Sequence, residues 1–448
     1  MIANLQPYPD YKESEQAWLG RVPSHWELRP AFGAYVPNRE KNTGMKERIV
    51  LSLSYGRIVV KPPEKLHGLV PESFETYQIV NPGDIVIRTT DLQNDHTSLR
   101  VALARDRGII TSAYLALHTK EGVNPGFGYQ FLNVWDLTKA IYGFGSGLRQ
   151  GLDFTHFKRM PVVVPPPEEQ AAIVRFLDYA NGRLERAIRA KRKVIALLHE
   201  QKQAIIHRAV TRGLDPTVPL KPSGIPWLGD IPQHWEVWPL RRCISIRSGD
   251  FIDGSRLKTD RSDFSPFPVI GGNGIMGFTD QTNVHGPTIV IGRVGALCGN
   301  VHLVKEAAWI TDNALRITRI EGFDSDYLSE QLRAMNLNRL ANANAQPLVT
   351  GGTIKAQRVV KPPPDEQHAI CLRLNELSLP VSTTITRLER EITLLREYRT
   401  RLVADVVTGK LDVRSAARQL PAESAGPEFS VVTEDLADEA ELEPINAE

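Results

Sequence analysis

The chain has 448 residues, 42% hydrophobic and 24% charged, ordinary globular material long enough for two or three cores. Cys243, Cys298 and Cys371 have neither disulfide nor metal-ligand spacing, and no signal peptide or membrane-length apolar run appears; this argues against secreted disulfide scaffolds and membrane proteins and for a reducing cytoplasm. Nine carboxylates and no Lys or Arg follow Arg418, so the net charge of +2 conceals a body carrying +11, suited to a polyanionic partner.

In chain order, residues 12–27 read KESEQAWLGRVPSHWE. A functional reading makes His25 an acid–base group or a ligand. No nucleophile or metal partner stands beside it, so Trp26 and His25 are expected to dock this leading segment onto a core. Short strands are predicted at 49–53, 85–88, 101–104 and 109–117, and a helix at 129–142. Pro165-Pro-Pro-Glu-Glu-Gln170 then opens a long helix: proline presets φ, and carboxylates suit the positive end of the helix dipole.

That helix belongs to a stretch present twice, since residues 162–215 recur without a gap at 359–412, at an offset of 197. Helix breaks are expected at Asn181-Gly182 and at Pro380. Beyond the breaks, Leu184, Ile188, Lys191, Ile195, Leu198, Lys202, Ile205 and Ala209 step by four and three residues. Val381, Ile385, Leu388, Ile392, Leu395, Arg399, Leu402 and Val406 do the same, the spacing of a coiled-coil seam. About 28 helical residues would give a rod of about 40 Å. Lys191, Lys202 and Arg399 can lie along a seam by their stems, with the charge in water.

A Pro-rich connector at 215–223 leads to a second copy of the leading segment, KPSGIPWLGDIPQHWE at 221–236, with His234 and Trp235 in place of His25 and Trp26. Strands are predicted at 268–270, 288–292, 300–304 and 314–319, and a helix at 325–341. The expected architecture is α+β: globular modules at 1–164 and 216–361, helical spacers at 165–215 and 362–413 packed on each other as a fixed-length strut, a pseudo-twofold internal repeat, and an acidic, disordered tail at 414–448. Between the repeated supports the modules hardly match. A chain that repeats its supports while varying what they hold reads as a bivalent reader of two different half-targets.

Catalytic equipment is missing. Thr408-Gly409-Lys410 lacks the rest of a phosphate-binding loop, and His199-Glu200 lacks the second histidine of a zinc protease helix, His207 being one turn too far. A glycine-containing stretch at 141–145 follows a helix rather than a strand, and every Pro-Pro pair is followed by Glu or Asp where a base-flipping tetrapeptide needs an aromatic ring. No catalytic or metal-binding residue is assigned, and the chain is expected to be non-catalytic.

The WLGxxPxHWE segment twice, the PPPxEQ boundary twice and paired helices ending near Leu214-Asp215 and Leu411-Asp412 together resemble the specificity subunit of type I restriction-modification systems, over residues 7–413. The resemblance implies two target-recognition domains, each reading half of a bipartite double-stranded DNA target, held apart by the two long helices packed as an antiparallel coiled coil. It also implies two modification subunits carrying the adenine-N6 methyltransferase, and restriction subunits that translocate and cut. This chain then binds no cofactor, with S-adenosylmethionine, ATP and Mg on those partners.

Candidate DNA contacts are polar and basic residues on glycine-rich or late loops: Arg88, Thr89, Thr90, Arg149, Gln150 and Lys158 in the first module, and Asn273, Arg293, Asn313, Gln346, Thr350, Thr353 and Lys355 in the second. Arg and Lys would neutralise phosphate, while Asn or Gln can pair with an adenine edge. Each is alternatively a solvated loop residue or turn former. The basic stretch 183–192 is a further candidate for the DNA backbone, although charges flanking a seam ordinarily form a solvated face. Two other readings stay open: the DNA-reading subunit of a related enzyme that cuts without translocation, and a protein-interaction scaffold.

Overall fold

The computed structural model describes residues 5–54, 56–62, 73–90, 99–143, 152–342 and 347–421. Arg149, Gln150, Gln346 and the part of the acidic tail beyond Pro421 lie outside them, while the first residues of that tail are ordered, Arg414–Arg418 forming a helix that buries Ala417. The fold is α+β and divides into two compact units, residues 1–190 with 391–448, and residues 191–390.

The first unit is built on a four-stranded antiparallel sheet in the order Tyr35–Pro37, Leu115–Thr119, Ile85–Ile87, Val101–Leu103. The short helix α1 (Ala31–Ala34) leads into its edge strand. Helix α2 (Pro125–Leu137) supplies Phe127, Phe131 and Trp135 to the same core as Trp26 and Tyr35. Its start follows from Asn124, whose side chain accepts from the amides of Gly126 and Phe127, with proline at the first helical position. Helix α3 (Phe154–Phe157) starts in a capping box from Asp153 to His156. The strand Pro161–Val164 then pairs antiparallel with Glu27–Pro30, bringing the end of the module back to its beginning.

Long helix α4 (Pro167–Arg212) follows, and residues 167–190 of it belong to this unit. Ile173, Phe176, Leu177 and Ala180 join Leu402, Val403, Val406 and Val407 of α8 (Pro364–Val407) in the core, so the start of one helix lies against the end of the other. The helices are antiparallel here.

The second unit repeats this framework. Its four-stranded sheet has the same order, Ile244–Ser248, Ala314–Ile320, Thr288–Gly292, Val301–Val304. Helix α5 (Leu240–Cys243) stands where α1 does, α6 (Ser325–Ala334) where α2 does, and α7 (Gly351–Lys355) where α3 does. Glu236–Pro239 pairs with Arg358–Lys361. Ala209 and Val210 of α4 meet Ile370, Cys371 and Leu374 of α8, again start against end. The unit differs by a three-stranded sheet of Phe267–Gly271, Gly274–Thr279 and Trp309–Ile310, where the first has the hairpin Leu51–Ser54 with Arg57–Val60 and the pair Gln78–Val80 with Gly108–Ile110. Cys243, Cys298 and Cys371 are buried free thiols. Among the described residues no helix is long and apolar enough to cross a membrane.

Two expectations are corrected. The predicted strand at 109–117 is two strands in different sheets, Gly108–Ile110 and Leu115–Thr119, because a turn at 111–114 carries the chain from one to the other. The long helices do not break at Asn181-Gly182 or at Pro380: α4 runs 46 residues and α8 runs 44. Buried Ala180 and Leu184 hold the helix on either side of Gly182, whose helical cost is about 1 kcal/mol. Pro380 is exposed, and so is Glu376, whose carbonyl loses its donor to the ring.

Every seam position named above is buried or half-buried. The polar ones find partners near the seam: Lys202 Nζ donates to Ser382 Oγ at 2.9 Å, and Arg399 lies 3.4 Å from a Glu185 carboxylate oxygen. Gly409 ends α8 with φ +78°, and a Cβ there would sit 2.3 Å from Pro23 and 3.0 Å from the Trp26 ring. Gly409→Ala is therefore expected to cost about 2–4 kcal/mol, left-handed strain plus overpacking. Gly20→Ala, at φ +67° but with open space around its Cβ, is expected to cost about 1 kcal/mol. Urea midpoints of the two variants compare them.

Candidate nucleic-acid interface

The supports of the candidate loops are built first by a buried carboxylate. Glu169, in the first turn of α4, is 2% exposed. It accepts from the Tyr8 hydroxyl, from Trp26 Nε1 at 3.0 Å and lies 2.9 Å from His25 Nε2. Burial pushes the Tyr8 hydroxyl well above its ordinary pKa and the neighbouring carboxylate adds to the shift, so the hydroxyl stays a donor. Glu366 does the same at the start of α8, lying 2.8 Å from His234 Nε2 and accepting from Trp235 Nε1 at 3.0 Å. His25 and His234 are thus docking residues.

The adjacent glutamine ties the long helix to the module helix. Gln170 Oε1 accepts from the amide of Asn124, the cap of α2, and its Nε2 donates to the carbonyls of Gly122 and Pro165. Gln367 repeats this on Asp324, the cap of α6, and on Gly322 and Pro362. Both glutamines are fully buried with these bonds made.

In the first unit, residues 88–90 leave the Ile85–Ile87 strand and are held from below by Arg100. This arginine is fully buried and donates to the carbonyls of Thr90, at 2.7 Å, and Arg88, and to the Tyr142 hydroxyl. Thr89 is itself buried, its hydroxyl donating to the Ala113 carbonyl at 3.0 Å, so its side chain serves the loop's structure. Arg88 is half-buried and Thr90 exposed. Lys158 caps the C-terminus of α3, and its carbonyl accepts from Phe32 at 2.9 Å.

In the second unit Asn273 is exposed at the turn joining Phe267–Gly271 to Gly274–Thr279. A Cβ on neighbouring Gly272 would lie 3.2 Å from the Asn313 carbonyl and 3.7 Å from the Arg293 amide, so the turn sits directly on those residues. Arg293 N donates to the Asn313 carbonyl at 3.0 Å, and the Arg293 carbonyl accepts from Val349, next to Thr350. The structure thus brings Asn273, Arg293, Asn313 and Thr350 together from four separate stretches of chain. The Thr350 and Thr353 hydroxyls are engaged in a reciprocal capping box that starts α7. Lys355 faces a cleft with Arg241, Arg247 and Arg319, three arginines that no sequence pattern singled out. Exposed amides at Asn273 and Asn313 beside a guanidinium make a surface able to donate to and accept from base edges. Among the described residues no group of His, Cys, Asp or Glu is arranged to hold a metal ion.

Residues 232–394 match the family described as Type I restriction modification DNA specificity domain. That stretch of the chain is similar to the specificity domain. It is 30% identical over 151 residues to the EcoprrI type I restriction enzyme specificity subunit of Escherichia coli, covering 34% of this chain and 37% of the relative. It is 24% identical over 269 residues to the MjaVIII specificity subunit of Methanocaldococcus jannaschii, covering 57% and 58%. The chain therefore spans less than two thirds of either curated relative. A solved structure from a study of complex assembly and conformational transition of the type I R-M system shares the fold, with a TM-score of 0.61 at 14% identity, over 87% of this chain and 99% of that one. The likeness to type I specificity subunits carried by the repeated motifs is thus present in sequence and in fold.

The clamp of the second unit and its counterpart in the first differ in burial: Glu366 has a side chain 27% exposed, against 2% for Glu169. Glu169→Ala, which strands the buried donors of Tyr8 and Trp26, is expected to lower stability by about 3–5 kcal/mol, and Glu366→Ala by about 1–2 kcal/mol. Urea unfolding of the two variants checks the order. Glu169→Gln, which keeps an acceptor oxygen, is expected to fall between them.

Proposed function

We propose that this chain is the DNA-reading subunit of a type I restriction-modification complex. Each unit reads one half of a bipartite double-stranded target. The paired helices set the spacing between the halves, and the chain directs adenine-N6 methylation by two modification subunits and cutting by restriction subunits. S-adenosylmethionine, ATP and Mg belong on those partners. The observation that carries this reading is that one framework is built twice with the same Glu–His–Trp and Gln clamps, while the strands and loops mounted on it differ. Direct base contacts are assigned to Asn273, Arg293 and Asn313 in the second unit and to Arg88 and Thr90 in the first. Arg149, Gln150 and Gln346 remain proposed contacts on the strength of their residue types, and Lys158 from its place at the end of α3.

Co-expression with a type I methyltransferase subunit in an unmethylated host, followed by genome-wide mapping of N6-methyladenine, tests the reading. The expected result is one split motif, two short half-sequences around a fixed unread gap. A continuous motif sinks the architecture. No methylation despite a purified complex with the methyltransferase favours an interaction scaffold.

The seam from residue 184 to 209 rises about 38 Å, comparable to the roughly 34–36 Å turn of B-DNA. Inserting four residues within 186–203, with a matched insertion in the facing part of α8, is expected to lengthen the unread gap and leave both half-sequences intact. An active variant with an unchanged gap refutes the ruler.

A further inference from the structure

The cleft in the second unit is lined by Arg241 of α5, Arg247 of the Ile244–Ser248 strand, Arg319 of the Ala314–Ile320 strand and Lys355 of α7, with Ser245, Thr318 and Gly352 between them. Arg241, Arg247 and Arg319 are exposed, and Lys355 is half-buried. Arg319 is paired with Glu321. Among the described residues no carboxylate pairs with Arg241, Arg247 or Lys355. Four cations thus converge on one concave surface with a single paired acid, an arrangement that repels itself and attracts a polyanion.

The fold does not require these charges. In the first unit, α1 and the strand after it place Phe32 where Arg241 stands, Val36 where Ser245 stands and Asn38 where Arg247 stands; Phe32 and Val36 are 51% and 41% exposed. Opposite Val36 lies His118, where Arg319 lies opposite Ser245. Only the lysine is common, Lys158 and Lys355 each standing at the end of a short helix started by a capping box. The same backbone is therefore built with apolar and neutral side chains in one unit and with three additional cations in the other.

We infer that this cleft holds the sugar–phosphate backbone of duplex DNA, anchoring the second unit while the adjacent turn reads bases; the inference rests on the DNA-reading function proposed above. The side chains on the cleft that can bond a ligand are cations and hydroxyls, with no amide or carboxylate among them, so it neutralises phosphate and carries no base readout. Its position supports the division of labour. Residues 347–355 run from the Arg293 loop, through the Val349 bond to Arg293, into α7 and the cleft. Phosphate grip and base reading are thus linked by one short segment.

The test is the salt dependence of binding of the full chain to a mixed-sequence DNA duplex, read by fluorescence anisotropy. Log affinity should fall linearly with log salt, and Arg241→Gln with Arg247→Gln together should reduce the steepness of that fall by about 0.9 per lost contact, roughly 1.8 in all. Lys355→Gln alone should reduce it by about 0.9. A charge-matched control, Lys193→Gln with Arg208→Gln on exposed positions of α4, should leave the slope as it was. The phosphate site is overturned if the wild-type chain binds and the cleft variants keep its slope and affinity, or if the control loses as much. A wild-type chain that does not bind duplex DNA at low salt overturns the DNA-reading function itself, a distinguishable failure.

Discussion

The structure depends on two carboxylates, one buried and one half-buried, at the starts of two long helices. Glu169 and Glu366 each hold the Trp and His of a leading segment, and each of those tryptophans also meets the end of the other long helix. Trp26 lies against Gly409, just past α8, and Trp235 against Gly213, just past α4. One indole therefore fixes where one helix begins and where its antiparallel partner stops. The glycines are required there: both have positive φ, and a Cβ on Gly213 would come within 3.2 Å of the Trp235 ring and 3.1 Å of a Glu366 oxygen. An acid elsewhere on the first turn would still suit the helix dipole. Only this position also satisfies the indole and imidazole donors.

Much of this framework was legible in the sequence because its residues recur. The repeated WLGxxPxHWE and PPPxEQ motifs marked the supports, and the three-and-four spacing marked the seam. Apart from Pro165, the partners of Glu169 and Gln170 were not legible, since they lie 46 to 161 residues away along the chain. The helix breaks at Gly182 and Pro380 misled because local propensity is a weak prior when both flanks of a helix are packed. The common strand order of the two sheets was hidden because strands need only a pattern of burial, and unrelated sequences supply the same pattern.

The candidate site was harder to read than the fold for a related reason. Thr89, Thr350 and Thr353 are polar residues on late loops, the type expected to meet DNA, but Thr89 bonds a carbonyl and the other two cap a helix. Arg100 drew no attention as a residue preceding a strand, although its buried guanidinium shapes the loop at 88–90. Arg241, Arg247 and Arg319 are separated by up to 78 residues and resemble scattered surface charge until the sheet brings them to one cleft. Loop composition identifies where a contact surface lies; which side chains are free to use it depends on hydrogen bonds made across the fold.

The two units therefore separate support from chemistry. Residues that recur at equivalent places, including Glu169 and Glu366, Gln170 and Gln367, and the capped starts of α3 and α7, are satisfied internally and leave few polar groups for a ligand. Residues that differ at equivalent places, such as Phe32 and Arg241 or Asn38 and Arg247, are the exposed or half-exposed ones. A substitution of the second kind changes what a unit can hold without disturbing the tryptophan that sets the helix ends. One chain can thus carry two dissimilar binding surfaces on a single repeated scaffold, because the bonds that fix the scaffold are buried away from the side chains that vary.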